Sequence, residues 1–157
     1  MKNETKKTMP VLTVRQPWAG ALVLGWKPVE NRDWIPPAWL QVGNRYAIHS
    51  SKNVSRIDFI DDLKTIASLM RCDAMNLLDN NPLLNVHGSI IGSVQHRGVV
   101  SATYEAWDRW GIEIDGWFFG AYGWCVEKAA FLGEPVPAKG ALGLWQAPLI
   151  PELMASI

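Results

Sequence analysis

Cysteine and histidine are scarce in this 157-residue chain, with two of the first and three of the second. Cys72, Cys125 and three histidines cannot assemble a CxxC-type zinc site or a disulfide framework. No metal and no cofactor are therefore expected, and a reduced, cytoplasmic protein is the simplest reading. An excess of either charge is missing too, because 15 Lys+Arg offset 15 Asp+Glu. That excludes a polycationic nucleic-acid coat, so any contact with phosphates has to come from a local cluster. Long apolar runs are also absent. The start carries Lys2, Glu4, Lys6 and Lys7, then a short apolar run from Val11 to Val14, too brief for a secretory signal. Nothing approaches the roughly 20 apolar residues of a membrane span, so we expect a soluble protein without membrane contact.

What is present fits one globular domain. The apolar fraction is 48% and the charged fraction 19%, and a chain of this length buries roughly 70% of its unfolded surface. Tryptophan is the outlier: nine Trp exceed four Phe and three Tyr together. Most are expected in the core, provided the indole N–H finds a partner. A minority are expected to line a cleft and stack on a flat ligand such as a nucleobase. We place an N-terminal tail over 1–10, the domain over 11–148 and a C-terminal tail over 149–157.

Val11 to Val14 reads as a strand. Pro17 stands where a first helical turn tolerates it, and Trp18, Ala21, Leu22 and Gly25 follow helical spacing. No charge lies between Arg15 and Lys27, so this helix is expected to be buried on most sides. Pro28 to Trp34 looks extended, and Arg45 to His49 forms another strand. Ser55 with Asp58 has capping-box spacing. The helix it opens places Ile57, Ile60, Leu63, Ala67 and Met70 on one face, with Asp58, Asp61 and Asp62 on a solvated one. Ser89 to Ala102 and Gly120 to Leu132 read as long strands, with a helix or turn near Tyr104 to Trp110 between them. Pro135 to Pro137 and Ala141 to Gln146 close the domain. Strands at both ends with helices inserted early indicate an α+β domain around a small barrel.

Polar side chains gather in two early segments, Val14 to Trp34 and Tyr46 to Lys52. On an extended segment Glu30, Arg32 and Trp34 share a face, while Lys27 sits at the helix-to-strand turn with a stem that swings over either side. His49 and Ser51 share a face in the second segment. Each has a plainer explanation. Glu30 and Arg32 can simply bridge each other, Trp18 is more readily core than a stacking platform, and His49 with Ser51 lacks an identifiable acidic third member. Lys27, just beyond a buried helix and its terminal glycine, is the least explained by packing.

Taken in order, Arg15-Gln16-Pro17-Trp18-Ala19, Gly25-x-Lys27-x-x-Glu30-x-Arg32-x-Trp34, Gly43-x-Arg45 and Ile48-His49-x-Ser51 resemble the ASCH domain, a branch of the PUA-like superfamily. Tyr122-Gly123-Trp124 and Pro135-Val136-Pro137-Ala138-Lys139-Gly140-Ala141-Leu142-Gly143-Leu144-Trp145 resemble the way such domains close. The likeness runs from about Val11 to Pro148. It implies a small mixed β-barrel with flanking helices and a cleft lined by G-x-K-x-x-E-x-R. It also implies a ligand: RNA or other single-stranded nucleic acid, or a modified nucleoside. One compact branch hydrolyses acylated cytidine with a Lys and a Thr on this motif and a later Glu. Lys27 matches that lysine, but Glu30 holds the threonine position, and a carboxylate does not replace an activated hydroxyl nucleophile.

If the implied cleft binds a base, Lys27 and Arg32 supply cations, Glu30 accepts from an exocyclic amine, and Trp18 or Trp34 stacks. His49, Ser51 and Lys52 then stand at its mouth, and Arg45, Lys52 and Arg56 form a modest basic edge. The leading expectation is a binding protein for RNA or a nucleotide-like ligand. A rival is a nucleobase hydrolase or metal-free ribonuclease, with Lys27 as base or charge stabiliser and His49 or Ser51 assisting. A second rival is a protein-interaction module that docks a partner on Trp107, Trp110 and Trp117.

Overall fold

A computed structural model describes residues 6–102 and 113–155 of the chain. The expected turn at Tyr104 to Trp110, and with it Trp107 and Trp110, lies outside them. The first strand, β1 (Thr8–Val14), begins earlier than its apolar run because Thr8 to Leu12 pair with the last strand. A short helix α1 (Trp18–Val23) follows, with Ala19, Gly20, Ala21, Leu22 and Val23 all buried, as a charge-free segment requires. Its N-terminal end is held by the buried Gln16, whose Oε1 accepts from Gly20 N at 2.9 Å. The Gln16 Nε2 donates to the Leu83 and Val86 carbonyls at 2.7 and 2.8 Å. One amide thus fastens α1 to a 3-10 turn far along the chain.

Next come β2 (Val29–Arg32) and β3 (Arg45–Ser50). The helix α2 (Arg56–Met70) opens with the expected cap, Ser55 Oγ accepting from Asp58 N at 3.1 Å. Its buried face differs from expectation. Leu63, Ile66 and Ala67 face inward, while Ile57 is 74% exposed and Ile60 is also exposed. The helix has more apolar residues than one stripe can hold, and docking chose Ile66 over Ile57. Helix α3 (Ala74–Asn80) and the 3-10 turn Pro82–Asn85 were not foreseen.

The two longest strands are β4 (Ser89–Ser101) and β5 (Tyr122–Pro137). β5 runs through Gly133 and Pro135, where the sequence suggests a break, because an irregularity between Phe131 and Val136 absorbs them. Two further register shifts interrupt β4 and β5, one of them placing Lys128 at φ 48. Bulges bend and twist a strand pair. Gly92 lies where β4 meets both β5 and α1; a Cβ there would come within 2.7 Å of Val23 and closer still to the Ala130 carbonyl.

With β6 (Leu144–Pro148) the strands form one mixed sheet in the order β2-β5-β4-β3-β1-β6. Among the described strands only the β1–β3 pair is parallel. The α+β class holds, but among the described residues no backbone ladder closes the sheet into a barrel, and β2 and β6 are its edges. It is nonetheless rolled. Arg32 on β2 donates from Nη2 to the Thr13 carbonyl on β1 at 2.8 Å, whereas in a flat sheet strands four places apart stand roughly 19 Å apart. Leu12, Tyr46, Ile48, Ile91, Val94 and Trp124 fill the inside of the roll.

The segment after Pro148, expected as a tail, carries α4 (Pro151–Met154). Leu153 is buried there, and its carbonyl accepts from Arg45 Nε at 2.9 Å and Ser93 Oγ at 2.7 Å. No helix among the described residues is long and apolar enough to cross a membrane.

Candidate functional site

Lys27 reaches its place through local backbone geometry. The chain leaves α1 at Gly25, whose φ of +82° suits glycine, and the Trp26 and Lys27 amides both return to the Ala21 carbonyl. This tight reversal carries the Lys27 side chain under α1 instead of out to solvent. Only 3% of Lys27 is exposed. Its Nζ lies 3.0 Å from Glu30 Oε1 and 5.3 Å from the centre of the Trp18 ring, within cation–π range.

Pairing of β2 with β5 fixes the next two residues, Glu30 opposite Trp124 and Arg32 opposite Tyr122. Glu30 is 4% exposed. Its Oε2 accepts from Arg32 Nη2 at 2.8 Å and Nε at 3.2 Å, and its Oε1 also accepts from the Asn31 amide at 3.2 Å. Burial alone would raise the Glu30 carboxyl, but the Lys27 ammonium and the Arg32 guanidinium outweigh it and hold the group below its ordinary value. The carboxylate is thus charged and fully engaged. A carboxylate offers about four acceptor positions, and four donors fill them, so none is left for the exocyclic amine of a base. The donors are in surplus. Lys27 Nζ has one hydrogen-bond partner, and Arg32 Nη1 has none among the described residues. Behind the triad the Tyr46 hydroxyl is buried without a partner among the described residues, and burial pushes its phenol far up, keeping it protonated.

These three side chains form one wall of a cavity of about 460 Å³ that Trp18, Ser51 and Phe119 also line. Phe119 is 58% exposed at its rim and is positioned by Asn31, whose Oδ1 accepts from the Phe119 amide at 3.0 Å. The rim is completed by an ion pair between Arg15 and Asp62, 2.7 Å, so one acid of the α2 face expected to be solvated is paired here. Sequence reasoning missed Phe119, Asn31 and the Arg15–Asp62 pair. The spacing of Asn31 from Phe119 carries no local signal, and only the folded sheet brings them together.

Of the other expected site residues, Trp34 does not join. It lies past the end of β2 and packs edge-on against Trp124, ring centres 4.7 Å apart, accepting the Trp124 indole N–H on its carbonyl. His49 and Lys52 line a neighbouring, larger cavity of about 970 Å³, which shares Thr13 and Ser51 with the first. His49 is buried. Its Nε2 lies 2.7 Å from the Ala138 carbonyl, which can only accept, so Nε2 carries a proton. Its Nδ1 faces Thr13 Oγ1 at 3.3 Å, and that oxygen accepts the Trp145 indole N–H at 3.0 Å. Ser51 Oγ instead turns to the Asn53 backbone. No His49–Ser51 dyad forms. Arg45 leaves the expected basic edge altogether. It is buried, donating to the Leu153 and Lys128 carbonyls and to Ser93 Oγ, and Arg56 lines a separate groove beside α3. Trp117 is buried rather than presented to a partner.

No family model and no curated protein matches the chain. Among solved structures it is similar to the crystal structure of ASCH from Zymomonas mobilis, with 17% sequence identity, a TM-score of 0.49, and coverage of 91% of this chain and 88% of that one.

Proposed function

We propose that the Lys27–Glu30–Arg32 cavity binds RNA, or a nucleotide-like ligand, by one base. The observation that carries this reading is the ionised triad, with Lys27 and Glu30 buried and Arg32 partly so, lining one cavity together with Trp18 and Phe119. Ion pairs taken out of water stabilise a fold poorly, and apolar residues of similar volume often do better. A cavity that sets two cations on one shared carboxylate has a better use for them than packing. With Lys27 and Arg32 against Glu30, the cluster carries one net positive charge and spare N–H donors. It suits the carbonyl-bearing edge of a base, while Trp18 and Phe119 offer faces on which a base stacks. Glu30 acts through the two cations it positions. The sequence likeness to ASCH domains, whose relatives bind RNA or modified bases, agrees with this reading. A binder is favoured over a hydrolase because the motif presents no hydroxyl nucleophile beside Lys27.

Titration with a short single-stranded RNA tests it. Phe119→Ala removes one stacking face from an exposed position, and such contacts are worth about 1–3 kcal/mol per base. Affinity should fall at least about fivefold with the fold intact, and Arg32→Lys should weaken binding as well, because the planar donor fork is gone. Wild-type affinity in both variants would refute the reading.

A further inference from the structure

The second cavity has a composition unlike the first. Thr13 and Ser51 line both, so the two adjoin at the β1–β3 end of the sheet. In the first, each cation faces an acid: Lys27 and Arg32 share Glu30, and Arg15 holds Asp62. Among the described residues the second is lined by Lys52 and Lys139 and by no carboxylate. On a chain whose charges sum to zero, an acid-free groove with two lysines is the local cluster that phosphate contact requires.

Its floor is built, not incidental. The Ala138 amide donates to the Gly88 carbonyl at 3.1 Å, the Gly88 amide donates to the Ser50 carbonyl at 2.8 Å, and His49 pins the Ala138 carbonyl from below. Gly140 lies so close that a Cβ would stand 2.8 Å from His49 Cε1 and 3.0 Å from Thr13 Oγ1. The loop carrying Lys139 is therefore fixed against the strand ends that lead to Lys52. Leu142, 98% exposed, projects from the rim of this groove.

Resting on the preceding reading, we infer that the natural ligand is a single strand of at least two nucleotides, not a free nucleoside. One base occupies the Glu30 cavity, and the phosphodiester passes Thr13 and Ser51 into the groove between Lys52 and Lys139. A free nucleoside has no use for that groove.

The probes are a short mixed-sequence single-stranded RNA, the DNA of the same sequence, and the four free ribonucleosides. Each is titrated against the wild type, a Lys52→Ala/Lys139→Ala double variant, and Arg32→Lys. Both lysines are exposed, so the double variant should fold. The wild type should bind a strand more tightly than any nucleoside, and the double variant should lose that advantage. Its affinity for the strand should fall roughly tenfold, and the slope of log K against log salt should flatten by roughly 0.7 for each phosphate that is no longer neutralised. Its nucleoside binding should not change. A nucleoside that binds as tightly as the strand, or a double variant that binds the strand normally while Arg32→Lys weakens every probe, overturns the inference and leaves the cavity reading standing. Loss of strand binding in the double variant with no effect of Arg32→Lys on any probe overturns the cavity reading, and the inference with it. The same follows if no probe binds. RNA against DNA then reports whether the 2′-hydroxyl is read.

Discussion

Replacing Glu30 with glutamine keeps the shape of the side chain and removes the charge on which two cations depend. Lys27, almost wholly buried, would face an amide in place of a carboxylate, and Arg32 would lose its bidentate acceptor. Breaking a buried pair in this way costs about 3–5 kcal/mol, because a desolvated charge is left without an anion. For a chain of this length about 3 °C of melting temperature accompanies each kcal/mol, so Glu30→Gln should melt about 10 °C lower at neutral pH. The pH dependence makes the prediction specific. Burial works to raise the Glu30 carboxyl and the two cations work to lower it, with the cations prevailing. A carboxyl whose folded value lies below its unfolded one contributes stability that is full above the unfolded value, about 4.3, and is lost as pH falls through the folded value. The gap between wild type and variant should therefore be full at pH 6–7 and narrow progressively in acid. Thermal unfolding followed by circular dichroism across that range reads it directly. A variant as stable as wild type at pH 7, or a gap that does not change with pH, would show that the carboxylate does not hold the triad together.

Arg45→Met should destabilise the protein by about 3 kcal/mol, since it removes charge-assisted bonds to the Leu153 and Lys128 carbonyls and to Ser93. Amide exchange should accelerate first in 150–154, and unchanged protection there would contradict this role. Gly92→Ala should cost more than the about 1–3 kcal/mol of an ordinary overpacked core site, because its Cβ would meet backbone as well as Val23; denaturant titration measures it, and a neutral result would mean that β5 yields easily.

Much of the fold was legible where the signal is local. Ser55 capping Asp58, the charge-free α1 and the apolar entry of β1 each depend on neighbours within a turn or two, and each lies close to where the sequence puts it. The misreadings are tertiary. Ile57 and Ile66 are equally apolar, and only docking of α2 decides between them. Gly133 and Pro135 look like a strand end until pairing with β4 makes them an irregularity within β5. In the site, Lys27, Glu30 and Arg32 stand close in sequence on one turn and one strand, so their meeting could be read from spacing. Phe119 could not, because Asn31 holds it from a distant part of the chain. Nor could the fate of Trp34, which the period of two assigns to the Glu30 face but the bend after Arg32 sends to Trp124.

The most direct measurement is an amide and indole NMR titration of the wild-type protein with a short single-stranded RNA. Saturable shifts should appear together at the Trp18 indole, at the backbone of Lys27, Arg32 and Phe119, and along the strand ends at Thr13 and Ser51. Binding that shifts another surface, such as the groove between α2 and α3, and leaves these positions unmoved would contradict the account.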